Sequence, residues 1–171
     1  MKVVVLGNIG SGKTTLSRAL ADRLSGFETI AIDDYRKCYG DGTMETEIVA
    51  KNKFLNAIIP EEKQIIEIMG IGDTGEKLFK KISGFPEKKV IIILRTSLEE
   101  CILRLKERQW DIPYPAPAEK AFILAGKTEQ SIRSGDLYRK WSHMNMSKVI
   151  EIDKITECII KQIILIIQDR D

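Results

Sequence analysis

The stretch Gly7-Asn8-Ile9-Gly10-Ser11-Gly12-Lys13-Thr14 decides how the rest of this sequence is interpreted. It matches the pattern G-x-x-x-x-G-K-[ST] in full, and it lies between the apolar run of residues 2–7 and a predicted helix beginning at Lys13. A chance match in a chain of this length is expected in about half a percent of cases. Glycines allow a turn whose backbone N–H groups approach phosphate oxygens. We therefore expect a phosphate-binding loop, with a purely structural glycine-rich turn as the alternative.

Each residue type in the loop has a chemical reason. The N-terminus of the following helix adds a partial positive charge, Lys13 reaches the β- and γ-phosphates, and the Thr14 hydroxyl is a Mg²⁺ ligand. We expect ATP and Mg²⁺ as cofactors and Lys13 as a catalytic residue. GTP is not expected, because Asn52-Lys53 is not followed by x-Asp. The predicted nucleotide-binding residues of the loop are Gly7, Asn8, Ile9, Gly10, Ser11, Gly12, Lys13, Thr14 and Thr15.

Outward from the loop, buried strands alternate with helices. This order predicts right-handed crossovers and an α/β fold: one domain, residues 1–171, with a five-stranded parallel sheet between two helical layers. Ligands in such sheets bind beyond the carboxyl ends of the strands. The predicted strands are 2–7, 28–33, 63–70, 88–95 and 148–153. The predicted helices are 13–24, 43–59, 73–82, one beginning after Ser97, 119–140, and a core helix within 155–168.

Local signals set several of these boundaries. Asp73 with Glu76 predicts a capping box, and Ser97 with Glu100 predicts the cap of the next helix. Three of the five prolines lie in residues 110–120, which predicts an ordered loop.

Composition excludes some classes of protein. The net charge is +2, with 27 basic and 25 acidic residues closely mixed, which argues against nucleic acid as a partner. We expect no signal peptide, and the apolar tail is too short to span a bilayer. Three widely spaced cysteines fit no disulfide or metal pattern. Cys101 and Cys158 are expected to be buried thiols, and the compartment is expected to be cytoplasmic.

Two stretches resemble a known family. "GNIGSGKTT" (7–15) resembles the form G-x-x-G-[SA]-G-K-[ST]-T, and "VIIILRTSLEECILRLKER" (90–108) resembles the fourth strand, the following helix and the start of a lid. The chain is thus similar, from Met1 to Asp171, to P-loop kinases of the nucleoside monophosphate kinase and shikimate kinase type, often grouped as AAA-family ATPases. The resemblance implies an adenylate-kinase-like P-loop NTPase fold with an acceptor-binding region at about 34–60 and a small lid at about 104–140.

The same resemblance implies that Arg104 stacks on adenine and that Arg108 is a catalytic contact to phosphates. Their spacing of four residues places both on one helix face. A solvated basic helix end is the alternative.

The sequence departs from each familiar subfamily. "IIEIMGIGDTG" (65–75) replaces the D-G-x-P-like segment of monophosphate kinases, the E-R-S of deoxynucleoside kinases and the G-G-G of shikimate kinases. Asp33-Asp34 lacks the spacer of the shikimate kinase D-x-D. The subfamily therefore stays unassigned.

Asp33 and Asp34 end the second predicted strand, which we expect beside the loop. Alternation along a strand lets only one of them face the phosphates. We favour Asp33 as the catalytic carboxylate and Mg²⁺ partner and Asp34 as a substrate-binding residue. The alternatives are the reverse order and a polar turn.

Glu67, Arg36 and Arg95 are the other substrate-binding candidates. Glu67 lies inside an apolar strand, where an unpaired carboxylate is costly. It therefore needs a partner: Mg²⁺-bound water, an acceptor hydroxyl, an arginine or a structural salt bridge. Arg36 and Arg95 lie near strand ends and are candidates to hold an anionic acceptor.

Together these features predict an ATP-dependent phosphotransferase whose acceptor is a small molecule, namely a nucleoside, nucleotide or similar metabolite. No membrane partner is expected. The alternatives are a regulatory ATPase without an acceptor and a nucleic-acid 5′-hydroxyl kinase.

Overall fold

The computed structural model describes residues 1–107, 111–115 and 118–169. Within them, the strands are β1 (Lys2–Gly7), β2 (Glu28–Ala31), β3 (Gln64–Ile68), β4 (Lys89–Leu94) and β5 (Ser147–Ile152). They form one parallel sheet in the order β2-β3-β1-β4-β5. The helices are α1 (Lys13–Ala21), α2 (Ile32–Tyr39), α3 (Met44–Ala57), α4 (Gly72–Ser83), α5 (Leu98–Glu107), α6 (Ala118–Arg133), α7 (Asp136–Ser142) and α8 (Glu157–Gln168).

The sheet has a hydrophobic core on each face. On one face, Phe54 of α3 and Trp141 of α7 pack in a cluster with Val4 of β1. On the other, Leu16 of α1 and Ile160 of α8 belong to a cluster built on alternate sheet residues. Helices cover both faces because parallel strands are apolar on both sides. The predicted three-layer architecture is confirmed.

The last helix is a core helix, as predicted, and it buries Ile160, Ile163 and Ile167. Cys101 is buried, but the prediction for Cys158 was wrong, because that thiol is exposed. Cys158 precedes Ile160 by two residues, or about 200° around a helix, so it points away from the sheet. Among the described residues, no helix combines the length and apolar character that a membrane span requires.

The second strand is shorter than predicted, which changes the setting of the two aspartates. β2 ends at Ala31, and Asp33 and Asp34 lie in the first turn of α2. Carboxylates suit this position because the N-terminus of a helix carries a partial positive charge. The alternation argument therefore does not apply. In addition, β3 separates β2 from β1, so the expected place of the second strand beside the loop was wrong.

Two helix starts differ in how well they were predicted. The Ser97 hydroxyl accepts from the Glu100 N–H at 3.2 Å, as expected. The capping box of Asp73 and Glu76 does not form, because α4 begins one residue earlier, at Gly72. Asp73 instead pairs with Lys77 at 2.8 Å.

The region after α5 also departs from the prediction. The single helix expected at 119–140 is two helices, α6 and α7, which break at Gly135 in the left-handed region (φ 73°). The expected loop at 110–120 is irregular over residues 111–115, but α6 already begins at Ala118. The rest of that predicted loop, residues 110, 116 and 117, lies outside the described residues.

Two lysines are buried at the amino ends of the strands, the first residues of β1 and β4. Lys2 and Lys89 are partners across β1 and β4, and both are 0% exposed. Lys2 Nζ donates to the carbonyls of Ile59 and Glu62, each at 2.6 Å. Lys89 Nζ donates to the Phe85 carbonyl at 2.5 Å. These bonds tie the start of the sheet to the segments that follow α3 and α4.

Candidate active site

The loop between β1 and α1 is held in shape by its glycines and by α5. Gly10 and Gly12 have φ of 78° and 93°. A Cβ on Gly10 would lie 2.8 Å from the Cys101 carbonyl oxygen, so only glycine fits against α5. Lys13 Nζ donates to the Asn8 carbonyl at 2.7 Å and so spans the loop.

Asn8 supports the loop from behind. Its buried amide donates to the Ala125 carbonyl of α6 at 2.9 Å, and its Oδ1 accepts from the Ile9 N–H at 2.8 Å. Ile9 to Thr15 line the cleft above the sheet, whereas Gly7 and Asn8 do not. Their contribution is to the loop conformation.

The cleft lies beyond the carboxyl ends of the strands and has a volume of about 1130 Å³. The loop and Arg104 line one side. Asp33, Arg36 and Tyr114 line another, and Glu67 lies on the floor between them. A cleft of this size accommodates a nucleotide together with a second small molecule.

Glu67 is brought to the loop by the strand order. β3 is the direct neighbour of β1, and Glu67 is the register partner of Val5. Its Oε1 accepts from the Thr14 hydroxyl at 2.7 Å. Burial raises the pKa of the Glu67 carboxyl, although Lys13 and the Thr14 hydrogen bond oppose the shift.

The same pair provides oxygen ligands for a metal ion. In the described part of the chain, the buried Glu67 Oε2 has no hydrogen-bond partner. Mg²⁺ prefers oxygen ligands and is commonly held by one or two side chains, water and substrate phosphates. The described residues contain no group of three or more His, Cys, Asp or Glu that holds a metal alone. Thr14 and Glu67 therefore fit a Mg²⁺ that arrives with a nucleotide.

Opposite the loop, five side chains form what we call the Arg36 cluster: Asp33, Arg36, Glu47, Lys51 and Tyr114. Arg36 donates from Nε and Nη2 to the two Glu47 oxygens at 2.9 and 2.8 Å, and from Nη1 to Asp33 Oδ1 at 2.9 Å. The Tyr114 hydroxyl donates to the same Asp33 oxygen at 3.0 Å. Its ring stacks on the guanidinium at 4.7 Å, and Lys51 pairs with Glu47 at 3.0 Å.

No family model and no curated protein matches the chain. Solved structures match over nearly all of it. Shikimate kinase from Acinetobacter baumannii, in complex with shikimate, is 19% identical with a TM-score of 0.64, over 97% of this chain and 92% of that one. A gluconokinase from Sinorhizobium meliloti 1021 is 15% identical with a TM-score of 0.56, over 95% and 86%. Deoxyadenosine kinase from M. mycoides is 18% identical with a TM-score of 0.56, over 98% and 97%.

This is the fold of the shikimate-kinase-like P-loop kinases. The fold that the resemblance implied is thereby confirmed. The three matching proteins differ in the molecule after which each is named, so the likeness does not assign this chain to one subfamily.

The remaining site residues predicted from the sequence do not all lie in the cleft. Arg104 lines the cleft and donates to the Gly10 carbonyl at 3.0 Å. Asp34 does not line the cleft but an adjoining cavity of about 260 Å³, which shares Thr14, Asp33 and Glu67 with the cleft. Arg95 does not line the cleft and pairs with Glu151 and with the cleft residue Asp153, at 3.5 and 3.7 Å, so its role in substrate binding stays a prediction. Arg108 lies outside the described residues.

The sequence analysis missed Glu47, Lys51 and Tyr114. Glu47 had a detectable signal, because it shares the helical spacing of the buried Ala50 and Phe54. Two apolar residues of the same helix, Met44 and Ile48, are instead 58% and 56% exposed. An acidic residue on the true buried face requires a cation, and Arg36 provides it. Tyr114 had no comparable signal within its proline-rich segment.

Proposed function

We propose that the protein is an ATP-dependent phosphotransferase whose acceptor is the hydroxyl of a small molecule, such as a nucleoside, a nucleotide or a similar metabolite. One observation carries the proposal: a single cleft joins a complete phosphate-binding loop to carboxylates on its floor and on its opposite wall. A phosphate-binding loop alone is compatible with any ATPase. A cleft with space and polar groups beyond the phosphates can also bind a second substrate.

The donor side binds ATP mainly through backbone groups. N–H groups of the loop and the N-terminus of α1 hold the phosphates, and Lys13 exchanges its bond to Asn8 for the β- and γ-phosphate oxygens. Thr14 and Glu67 would hold Mg²⁺. Bound Mg²⁺ supplies neutralisation of the negative charge that develops on the phosphate oxygens. Arg104 contacts the nucleotide, and Arg108 contributes charge from the lid.

The acceptor side positions the hydroxyl. Its oxygen attacks the γ-phosphorus in line, forming a new P–O bond while the bond from the γ-phosphorus to the β,γ-bridging oxygen breaks. ADP leaves with the bonding electron pair, and the hydroxyl proton passes to the Asp33 carboxylate. The products are the phosphorylated acceptor and ADP. Asp33 is the proposed base because it lines the cleft and Asp34 does not.

A screen of hydroxyl-bearing acceptors with purified protein, ATP and Mg²⁺ tests the proposal. We expect acceptor-dependent ADP release and a product heavier by one phosphoryl group in mass spectrometry. Tight ATP binding without acceptor-dependent ADP release would instead indicate a regulatory ATPase. Phosphorylation of oligonucleotide 5′-ends, with binding that weakens steeply as salt rises, would indicate a nucleic-acid kinase.

A further inference from the structure

The positive charge of Arg36 is already compensated by carboxylates of the protein itself. Three of its N–H groups bond to carboxylates, and its side chain is 12% exposed while that of Glu47 is 5% exposed. Burial by itself lowers the pKa of the guanidinium, but the hydrogen bonds to Glu47 outweigh it and the pKa is raised. The same bonds lower the pKa of Glu47 against the effect of its own burial. Both groups therefore stay ionised.

The rest of the Arg36 cluster preserves this balance. Lys51 is the second cation and shares the Glu47 carboxylate with Arg36. Asp33 is the second anion and accepts from both Arg36 and Tyr114. Among the described residues of the cluster, two positive and two negative side chains thus face one another, and their charges balance.

We infer, resting on the proposed function, that the acceptor is electrically neutral: an uncharged hydroxyl-bearing molecule such as a nucleoside or polyol, and not a phosphate or carboxylate. This corrects the expectation that Arg36 holds an anionic acceptor. An arginine that recognises an external carboxylate leaves its paired N–H groups directed at the ligand site. Here the pair of N–H groups on Nε and Nη2 is directed at Glu47 instead.

An anionic acceptor meets an unfavourable field at this wall. To reach the guanidinium it has to displace Glu47, which would leave a buried carboxylate with only Lys51. Asp33 and Glu67 line the same cleft and repel a further negative charge. Lys120 and Lys154 also line the cleft, but both side chains are exposed, and an exposed lysine contributes little to binding an anion. A neutral hydroxyl brings no negative charge to the cleft and can donate to the Asp33 carboxylate without any such cost.

Matched acceptors test the inference on the unmodified protein. Nucleosides are compared with their 5′-monophosphates, and polyols with the corresponding sugar acids, by kcat/KM from ADP release and product mass. We expect the neutral member of a productive pair to be favoured at least about tenfold. A preferred anionic member overturns the inference and leaves the proposed function intact. Absence of turnover with every acceptor contradicts the proposed function, and the inference falls with it.

A substitution of Glu47 tests whether its compensation of Arg36 and Lys51 causes the preference for a neutral acceptor. Glu47→Gln keeps the size of the side chain and removes one negative charge, which leaves Arg36 and Lys51 undercompensated. We expect the affinity for sugar acids or nucleoside monophosphates, measured by calorimetry with Mg²⁺ and a non-hydrolysable ATP analogue, to rise at least about tenfold over wild type. Glu129→Gln is the matched control, because Glu129 is also a buried carboxylate paired with an arginine, Arg133, but lies outside the cleft. Equal gains in both variants, or none in Glu47→Gln, overturn the inference.

Discussion

The loop of residues 7–14 and the Arg36 cluster face each other across one cleft, but they are built differently. The loop presents backbone N–H groups of consecutive residues, with Lys13 and Thr14 as its main side chains. The Arg36 cluster presents side chains from α2, α3 and residues 111–115, which meet only after folding. A backbone site recognises what all ATP-dependent reactions share, whereas a side-chain site is free to change with the acceptor. The predictions below test that division.

The largest expected effect is on the donor side. Lys13→Ala removes the loop side chain that is proposed to reach the transferring phosphate, and turnover should fall about 10³-fold. The thermal midpoint should change little, because Lys13 lines the cleft and does not belong to the hydrophobic core. Steady-state ADP release with a productive acceptor measures the change, and Lys161→Ala on the exposed side of α8 is the control. Wild-type turnover in a folded Lys13→Ala protein would contradict the proposed phosphotransferase function.

The second effect separates the two neighbouring aspartates. Asp33→Asn should lower kcat about 10²-fold, because it removes the proposed base. Asp34→Asn should lower the free energy of unfolding by about 1 kcal/mol with little change in rate, because Asp34 lies outside the cleft at the start of α2. Turnover and thermal midpoint are measured for both. A rate loss confined to Asp34→Asn would make Asp34 the base instead of Asp33. Wild-type rates in both variants would contradict a catalytic role for either aspartate.

The third effect is on stability and has a definite pH dependence. Arg36 holds the pKa of Glu47 below 4.5, so the unfolded chain binds the proton more tightly than the folded one. The contribution of Glu47 is therefore present above pH 4.5 and is lost as pH falls through the lower, folded-state pKa. Glu47→Gln should cost about 2 kcal/mol at neutral pH.

Urea unfolding at neutral pH and below pH 4.5 measures this change. The difference between wild type and Glu47→Gln should shrink at the acidic pH. A penalty of equal size at both pH values would mean that lost packing, and not the ion pair with Arg36, explains the effect.

The smallest expected effect concerns the lid. Arg108→Ala should lower kcat about tenfold and change ATP affinity less, because its charge acts mainly in the transition state. Arg104→Ala should mainly weaken ATP binding, since Arg104 lies against the loop at Gly10. Single-turnover kinetics and nucleotide titration separate these outcomes. Unchanged kinetics in both variants would identify the arginines as a solvated helix end.

The same division explains what the sequence predicted. The loop and the alternation of strands and helices are local patterns, so the fold and the cleft-lining residues Ile9 to Thr15 followed from contiguous residues. Glu67 was identified as a carboxylate in need of a partner, but the partner, Thr14, depends on β3 lying beside β1. Strand order is a property of the whole sheet and has no local signal.

The acceptor side was predicted less well for a similar reason. Asp33 was identified as a candidate, but its place on α2 was not, because Ile30, Ala31 and Ile32 form a continuous apolar run that hides the end of the strand. The bond between Arg36 and Glu47 joins two helices whose relative position is set by packing. The ion pairs of Arg95 had no local signal either, since Glu151 and Asp153 come from the adjacent strand β5 and the residues after it.

The buried amines of Lys2 and Lys89 give the protein two internal reporters of its unfolding. Both are 0% exposed, and both donate to carbonyls at the edge of the sheet remote from the cleft. An amine-reactive reagent reaches them only when that edge opens, whereas it reaches exposed lysines in the native state at once. Acylation at these two positions, measured for each peptide by mass spectrometry, therefore reports how often this end of the sheet opens.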